Sequence, residues 1–281
     1  MGTNHGQPTS SGGAAATGPE QFYDALAPDY HLLFPDWWTA AQWHGAVIAR
    51  VLADRNVRPP ARLLDCTCGM GTQALPLAAL GYRTTGTDLS RRAVERARRE
   101  AQLRGIPVAL GCADVREVRA AVTGTFDAVI SCDNSLPHLL TDQDLQRAVA
   151  SIRACLGEGG ILVASIRDYD GLRRTRPAGV PITLHGEPGS RHGAGQSWTW
   201  SADAEHVDIT LFTFREGTTG SWAVSAHETR YRALRRRRLS QALRDQGFAS
   251  PQWLLPAQSG YYQPLVVAAV ADRAGSEAAR R

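Results

Sequence analysis

The segment of residues 63–73 places a short apolar run before an acidic residue and a glycine-rich turn, and this order strongly constrains the fold. It is typical of a β-strand that ends at Asp65, a tight turn through Gly69 and Gly71, and then a helix. A second strand ends at Asp88, about twenty residues further on, where an acidic side chain can hold the hydroxyls of a ribose. The spacing predicts a nucleotide-binding βαβ unit.

The glycine-rich turn lacks the spacing of a dinucleotide site. A dinucleotide fingerprint has the pattern Gly-x-Gly-x-x-Gly, whose glycines bring a pyrophosphate onto the N-terminus of the following helix. Here position 67 is Thr and position 74 is Ala. The unit is therefore predicted to bind a ribose-containing ligand other than a dinucleotide.

The length and composition of the chain fit one α/β core with an appended element. The chain has 281 residues, of which 43% are hydrophobic, so it can bury a full core. It contains no run of about eighteen apolar residues, and its N-terminus lacks an apolar signal core. These features predict a cytoplasmic protein that does not bind a membrane.

Five cysteines lie mostly in or next to predicted strands, at positions 66, 68, 112, 132 and 155. Their odd number and their places favour reduced thiols in the core. Cys66 and Cys68 form a Cys-x-Cys pair, but no second pair lies nearby to complete a zinc site. No metal site is predicted.

The basic residues do not point to a nucleic-acid partner. All 31 of them are arginine, and the net charge is only +4. They concentrate in residues 91–104 and 235–238, which are both predicted helices. In the first helix an apolar stripe from Ala93 to Ala101 leaves the arginines largely on the other face, which is typical of a solvated helix surface. Neither run has aromatic residues beside it, so no nucleic-acid binding is predicted.

The chain divides by composition into a core and flanking segments. Residues 20–45 are rich in aromatic side chains, which either pack in the core or form a helical lid over the ligands. Residues 46–169 alternate helix and strand, which predicts a doubly wound, mostly parallel, Rossmann-like sheet. Residues 170–234 carry strand-like runs that predict an antiparallel β insertion, and residues 235–272 complete the core. The remaining segments are predicted tails: residues 1–19, expected to be disordered, and residues 273–281.

Polar residues follow the predicted parallel strands. These residues are Asp65, Asp88, Asp114 and the pair Asp133-Asn134. The carboxyl ends of parallel strands meet at one edge of a sheet, and ligands bind there where the strand order reverses. We therefore expect the site at this edge.

The same residues resemble the motifs of a known family. Asp65 and the turn at residues 68–71 resemble motif I of class I S-adenosylmethionine (SAM) methyltransferases. Residues 127–139, residues 165–170 and Tyr231 resemble the glycine N-methyltransferase group of small-molecule methyltransferases. This similarity extends over roughly residues 22–270, and a small residue such as Thr67 often replaces the first motif glycine in that group.

The resemblance implies that SAM is the cofactor. In the group, the residue matching Asp88 binds the ribose hydroxyls and the one matching Asp114 binds the adenine amino group. The full set of cofactor-binding residues expected on this basis is Tyr23, Tyr30, Trp38, Asp65, Cys66, Gly69, Gly71, Asp88, Leu89, Asp114, Val115 and Cys132.

The resemblance also implies a site for the methyl acceptor. The residue matching Asn134 lines the acceptor amine, the one matching Arg167 pairs with its carboxylate, and Tyr231 reaches the same pocket. Arg167 offers a planar, two-pronged donor that suits a carboxylate. Tyr169 belongs to the same predicted set, and His138 is a candidate general base near the amine.

Each acceptor residue also has a structural interpretation. Arg167 could pair with a neighbouring aspartate on the surface, Asn134 could cap the following turn, and His138 could simply pack. One difference from the group concerns the lid, where an arginine grips the SAM carboxylate. The matching residues 34–38 contain no arginine, and the nearest one is Arg50.

The predicted function is methyl transfer from SAM to the amine of a small, amino-acid-like molecule that carries a carboxylate. The missing lid arginine opens an alternative, a cyclase or lyase in which the amine of SAM displaces methylthioadenosine to give a cyclic amino acid. A nucleic-acid methyltransferase is less favoured, because no aromatic residue follows Pro137 to stack a flipped base. A SAM-binding module without activity is the least favoured. The sequence leaves open the acceptor, the number of methyl groups transferred and whether the chain forms a homo-oligomer.

Overall fold

A computed structural model describes residues 18–217 and 220–271 of the chain. Within these ranges the chain forms a seven-stranded sheet flanked by helices and a separate four-stranded sheet. No helix in the described ranges is long and apolar enough to cross a membrane. The predicted tails lie outside the described residues, apart from positions 18 and 19.

The strands alternate with helices as far as residue 175, and strands predominate after it. The helices are α1 Pro19–Leu26, α2 Trp37–Ala53, α3 Ala74–Ala79, α4 Arg91–Arg104, α5 Val118–Ala121, α6 Asp142–Cys155, α7 Tyr169–Thr175, α8 Arg236–Asp245 and α9 Pro256–Ser259. The strands are β1 Arg62–Asp65, β2 Arg83–Asp88, β3 Ala109–Cys112, β4 Phe126–Ser131, β5 Leu156–Ser165, β6 Gly179–His185, β7 His192–Trp200, β8 His206–Glu216, β9 Trp222–Arg232, β10 Gln252–Leu254 and β11 Leu265–Ala269. Short 3₁₀ turns cover Tyr30–Leu33, Val115–Glu117 and Leu136–His138.

The seven-stranded sheet has the order β10-β11-β5-β4-β1-β2-β3. Strands β1 to β5 pair in parallel, and β11 joins β5 in the antiparallel sense, as does β10 with β11. The order reverses beside β1, which lies between β2 and β4. This arrangement confirms the predicted Rossmann-like fold and places a crevice at the carboxyl ends of these three strands.

Both faces of the parallel strands are buried, because successive side chains of a strand point to opposite faces. Leu64 and Val129 face one apolar cluster, which includes residues of α6 and α8. Leu63 and Ile130 face a second cluster, which includes residues of α2. The sequence of a strand that is covered on both sides is mostly apolar rather than alternating, as in β1 and β4. The two clusters hold the carboxyl edge of the sheet in a fixed geometry.

The four-stranded sheet is antiparallel, with the order β6-β7-β8-β9. Alternate residues of β8, among them Ile209 and Leu211, are buried. Leu211 packs against Phe22 and Leu26 of α1. The N-terminal helix therefore lies against the buried face of this sheet, and together they cover the carboxyl edge of the parallel strands.

Two strands were absent from the sequence prediction. Strand β6 contains Pro181 and is almost fully exposed, so it lacks the apolar alternation that marks a half-buried strand. Strand β10 has only 3 residues, too few to show a period. Strand β5 begins at Leu156, and its first half is rich in glycine, which gives no strand pattern in the sequence.

Candidate active site

Two cavities of about 390 Å³ each lie at the carboxyl edge of the parallel strands. The first is lined by the turns that follow β1, β2, β3 and β4. The second lies between the N-terminal segment and the four-stranded sheet. Tyr23, Tyr30 and Asp133 line both cavities, so the two spaces meet at these side chains.

Asp88 is fixed at the end of β2 in the first cavity. One carboxylate oxygen accepts a hydrogen bond from the backbone N–H of Gly69 at 2.8 Å, and the other accepts one from Ser90 at 2.8 Å. Gly69 has φ +51°, a left-handed conformation that favours glycine. Burial raises the pKa of Asp88. The turn after β1 thus orients a carboxylate towards the space where a ribose would bind.

Asp114 also lines the first cavity, directly after β3. Its carboxylate pairs with the guanidinium of Arg116 at 2.5 Å, and Arg116 also contacts Asp144 at 2.9 Å. Burial acts to raise the pKa of Asp114, but the hydrogen bonds and charge of Arg116 outweigh it and lower the pKa. Asp114 is therefore an ionised acceptor, which suits an amino group on a base.

The structure brings most of the predicted cofactor residues together in the first cavity. Asp65, Gly71 and Trp38 do not line it. Asp65 is buried beneath the turn, where its carboxylate accepts from the backbone N–H of Thr67 at 3.3 Å. Gly71 shapes the turn with φ +88°, and Trp38 packs 4.3 Å from the guanidinium of Arg104. The predicted residues that line the cavity are Tyr23, Tyr30, Cys66, Gly69, Asp88, Leu89, Asp114, Val115 and Cys132.

Arg167 lines the second cavity. Its guanidinium lies 4.9 Å from the centre of the Trp198 ring and 5.5 Å from that of Tyr231. One terminal nitrogen, Nη2, donates to Gln196 at 3.3 Å. The other, Nη1, is buried and has no hydrogen-bond partner in the described part of the chain. A buried donor without a partner is costly, so a ligand group that accepted from this nitrogen would be favoured.

Asn134 and Tyr169 lie behind Arg167 and line neither cavity. Both side chains are buried, and the amide nitrogen of Asn134 donates to the hydroxyl of Tyr169 at 3.0 Å. The amide oxygen of Asn134 accepts from the backbone N–H of Arg167 at 3.0 Å. Burial raises the pKa of Tyr169 to about 12. In this conformation these two side chains fix the backbone of Arg167.

His138 lines the first cavity and contacts the residues at the meeting point. Its Nε2 lies 3.1 Å from the hydroxyl of Tyr23, which lies 3.4 Å from the hydroxyl of Tyr231. Burial, with a contribution from the charge of Arg167, lowers the pKa of His138 to about 3. The ring is therefore neutral near pH 7, and a base this weak removes a proton from an ammonium group poorly.

A polar cluster surrounds Asp133, which the sequence places at the carboxyl edge of the sheet without a role in binding or catalysis. Its carboxylate accepts from the hydroxyls of Tyr261 at 2.5 Å and Tyr262 at 2.8 Å, and from the amide of Gln73 at 2.8 Å. The partners lie at least 60 residues away in the chain, so local patterns could not reveal the cluster. The available signals were an acidic residue at a strand end and the pair Tyr261-Tyr262 before the last strand.

Comparisons with known proteins agree with this geometry. A family described as a methyltransferase domain matches residues 63–160. The CcbJ methyltransferase from Streptomyces caelestis has the same fold, with a TM-score of 0.69 at 16% identity over 89% of this chain and 98% of that chain. The sugar N-methyltransferase KedS8 from a Streptoalloteichus species superposes with a TM-score of 0.65 at 20% identity over 97% of this chain and 100% of that chain. The fold and the cofactor cavity define a class I methyltransferase that uses SAM.

Relatives that are similar in sequence place the chain in one group within the class I methyltransferases. A glycine/sarcosine N-methyltransferase of Parasynechococcus marenigrum is 30% identical over 206 residues, which are 72% of this chain and 68% of that protein. Another, from Halorhodospira halochloris, is 26% identical over 204 residues, 71% of each chain. The chain belongs to the glycine N-methyltransferase group of class I SAM-dependent methyltransferases.

Proposed function

We propose that the chain transfers a methyl group from SAM to the amine of a small, amino-acid-like molecule whose carboxylate binds Arg167. The observation that carries this proposal is that Arg167 lines the second cavity with a guanidinium whose Nη1 is buried and has no hydrogen-bond partner among the described residues. The rings of Trp198 and Tyr231 hold the guanidinium in place. A fixed guanidinium recognises a carboxylate through paired hydrogen bonds.

Each cavity binds one of the two substrates, SAM in the first and the methyl acceptor in the second. The first cavity holds SAM, with Asp88 at the ribose and Asp114 at the adenine. SAM supplies a methyl group on a positively charged sulfur, so the chain mainly has to align the acceptor and exclude water. The rings of Tyr23 and Tyr30, at the meeting point, cover the reacting atoms and offer π faces to a cation.

The remaining residues of the acceptor site act through position. Asn134 and Tyr169 hold the backbone of Arg167, and the neutral ring of His138 orients the hydroxyl of Tyr23. We assign no general base to His138, because its lowered pKa makes it a poor proton acceptor. The acceptor ammonium then releases its proton to solvent, and the neutral amine reacts in the second cavity.

Neutral donors take the place of the lid arginine for the SAM carboxylate. Among the described residues that line the first cavity, Arg116 is the one arginine. Its guanidinium already pairs with Asp114 and Asp144. Thr72 lines the same cavity, where its hydroxyl oxygen accepts from the indole of Trp37 at 3.2 Å and its side chain also interacts with Tyr30. Its rotatable hydroxyl proton can turn from Tyr30 to a bound carboxylate. We propose Thr72 as one of these donors.

Replacing Arg167 with Lys tests the proposed acceptor site. The variant keeps the charge but loses the paired geometry, so kcat/KM for the acceptor should fall by about 10- to 100-fold. The affinity for SAM, measured by calorimetry, should stay within about twofold. Arg191→Lys is a matched control, because Arg191 pairs with Glu216 and lines neither cavity. Unchanged kinetics in Arg167→Lys would remove the carboxylate from the proposed substrate.

The cyclase alternative makes a different prediction for the same variant. If SAM were the only substrate, Arg167 would hold the carboxylate of SAM, and SAM affinity would fall together with turnover. The presence of two cavities that meet favours a reaction with two substrates. Mass spectrometry of SAM incubated with the enzyme alone separates the two reactions, since only the cyclase forms methylthioadenosine without an acceptor.

A further inference from the structure

Asp133 is the acidic residue among the three side chains that line both cavities. The other two, Tyr23 and Tyr30, are tyrosines whose pKa values burial raises further above the physiological range. Asp133 follows β4, and its side chain is 16% exposed. A carboxylate at this position therefore faces the space where the methyl group leaves one molecule and joins another.

The groups that donate hydrogen bonds to the Asp133 carboxylate are all uncharged. Its oxygens accept from two tyrosine hydroxyls and one amide, those of Tyr261, Tyr262 and Gln73. His44 lies 3.9 Å away, but burial lowers the pKa of His44 despite the opposing effect of Asp133, so that ring is neutral near pH 7. Among the described residues, no arginine forms an ion pair with Asp133. The carboxylate is oriented but not neutralised, which favours a cation nearby.

The backbone holds Asp133 in an uncommon conformation. Asp133 has φ +57° and the next residue, Asn134, has φ +67°. Left-handed conformations of residues other than glycine cost about 1 kcal/mol or more each. Three hydrogen bonds offset this cost. The backbone N–H of Asp133 donates to Ser165 at 2.8 Å, the amide nitrogen of Asn134 donates to Tyr169, and the amide oxygen of Asn134 accepts from the backbone N–H of Arg167. The position of the carboxylate is therefore maintained by the surrounding structure.

We propose that Asp133 is the counter-charge for the methylated sulfur of SAM and that it makes the enzyme bind SAM in preference to its demethylated product. Methyl transfer breaks the bond from sulfur to the methyl carbon as the bond from nitrogen forms. Sulfur keeps the electron pair and becomes neutral, and the positive charge moves to nitrogen. A fixed carboxylate at the meeting point favours the cation on either atom and gives no such support to the neutral thioether in S-adenosylhomocysteine. This inference rests on the proposed assignment of the two cavities.

The test compares the binding of SAM and S-adenosylhomocysteine to Asp133→Asn by calorimetry. The substitution keeps the shape and one acceptor oxygen but removes the charge. We expect the affinity for SAM to fall by about tenfold, equivalent to about 1.4 kcal/mol, and the affinity for S-adenosylhomocysteine to change by less than about twofold. Asp88→Asn is the matched control, because the ribose is common to both ligands, and it should weaken both equally.

Equal weakening of both ligands by Asp133→Asn would overturn the proposal, because it would place Asp133 against a group that both share, such as the ammonium. Unchanged affinities would also overturn it. If Asp133→Asn does not fold, the unmodified protein still tests the idea through sinefungin, a SAM analogue that carries an amine in place of the methylated sulfur. Sinefungin should bind more tightly than S-adenosylhomocysteine, and weaker or equal binding would contradict a counter-charge. These outcomes are independent of Arg167→Lys, which reports on the acceptor.

Discussion

At the scale of single residues, the site contains polar groups that burial keeps neutral. His138 illustrates this, since it lies among Phe22, Tyr23 and Tyr231 with ring centroids 4.1 to 6.3 Å away. Its contact with the hydroxyl of Tyr23 uses one ring nitrogen. Because burial lowers the pKa of His138 to about 3, well below the ordinary range of histidine, the folded protein favours the neutral ring. A proton added to this ring favours unfolding.

The buried histidine predicts a specific loss of stability in acid. The stabilising effect of the lowered pKa is present above about pH 6.5 and is lost as the pH falls towards 3, by up to about 1.4 kcal/mol per pH unit for one proton. In His138→Asn, the free energy of unfolding should therefore fall less between pH 7.5 and pH 5.5 than in the unmodified protein. Urea unfolding at both pH values measures this difference. An identical fall in the two proteins would show that His138 does not control the acid response.

At the scale of elements, the local sequence predicts the parallel strands and their helices but not the role of each aromatic residue. The strand end at Asp65 follows from an apolar run that stops at an acid, and the strand end at Asp88 follows from its spacing after the glycine-rich turn. The aromatic residues of the N-terminal segment had two interpretations, core packing and a lid over the ligands. Trp37 is buried in an apolar cluster and lines neither cavity, whereas Tyr23 and Tyr30 line both. Composition alone cannot assign different places to aromatic residues of one segment.

The N-terminal segment predicts the outcome of two truncations. Removing residues 1–17 leaves in place every contact of α1 within the described part of the chain, so activity should stay within about twofold. Removing residues 1–36 deletes Tyr23 and Tyr30 and exposes the apolar surface around Leu211, so kcat/KM should fall by about 100-fold or more. Circular dichroism of each truncated protein serves as the control for folding. Full activity of the shorter protein would mean that the segment only packs.

At the scale of the whole molecule, the active site lies between two sheets that are built from distant parts of the chain. The cofactor cavity comes from successive strand-to-helix turns, and its residues could be predicted because each turn has a local pattern. The acceptor cavity combines Arg167 with Gln196, Tyr231 and Tyr262. These contacts depend on how the four-stranded sheet packs on the core. The periodicity of apolar residues in the sequence does not predict that packing. Asp133 was visible at a strand end, but its hydrogen-bond partners were not.

A ligand such as SAM that binds only the folded protein should raise the free energy of unfolding of the whole chain. At a concentration 100 times its Kd, a ligand that binds only the folded state adds about 2.7 kcal/mol to the free energy of unfolding, which raises Tm by about 5 to 10 °C in a protein of this size. Asp88→Ala removes both carboxyl oxygens at the proposed ribose position and should weaken SAM binding by about 1.5 to 3 kcal/mol. At the same SAM concentration, its Tm shift should then be less than about half that of the unmodified protein. Scanning fluorimetry with and without SAM measures both shifts, each relative to the same protein without ligand. A full shift in Asp88→Ala would move the ribose contact to another residue of the first cavity.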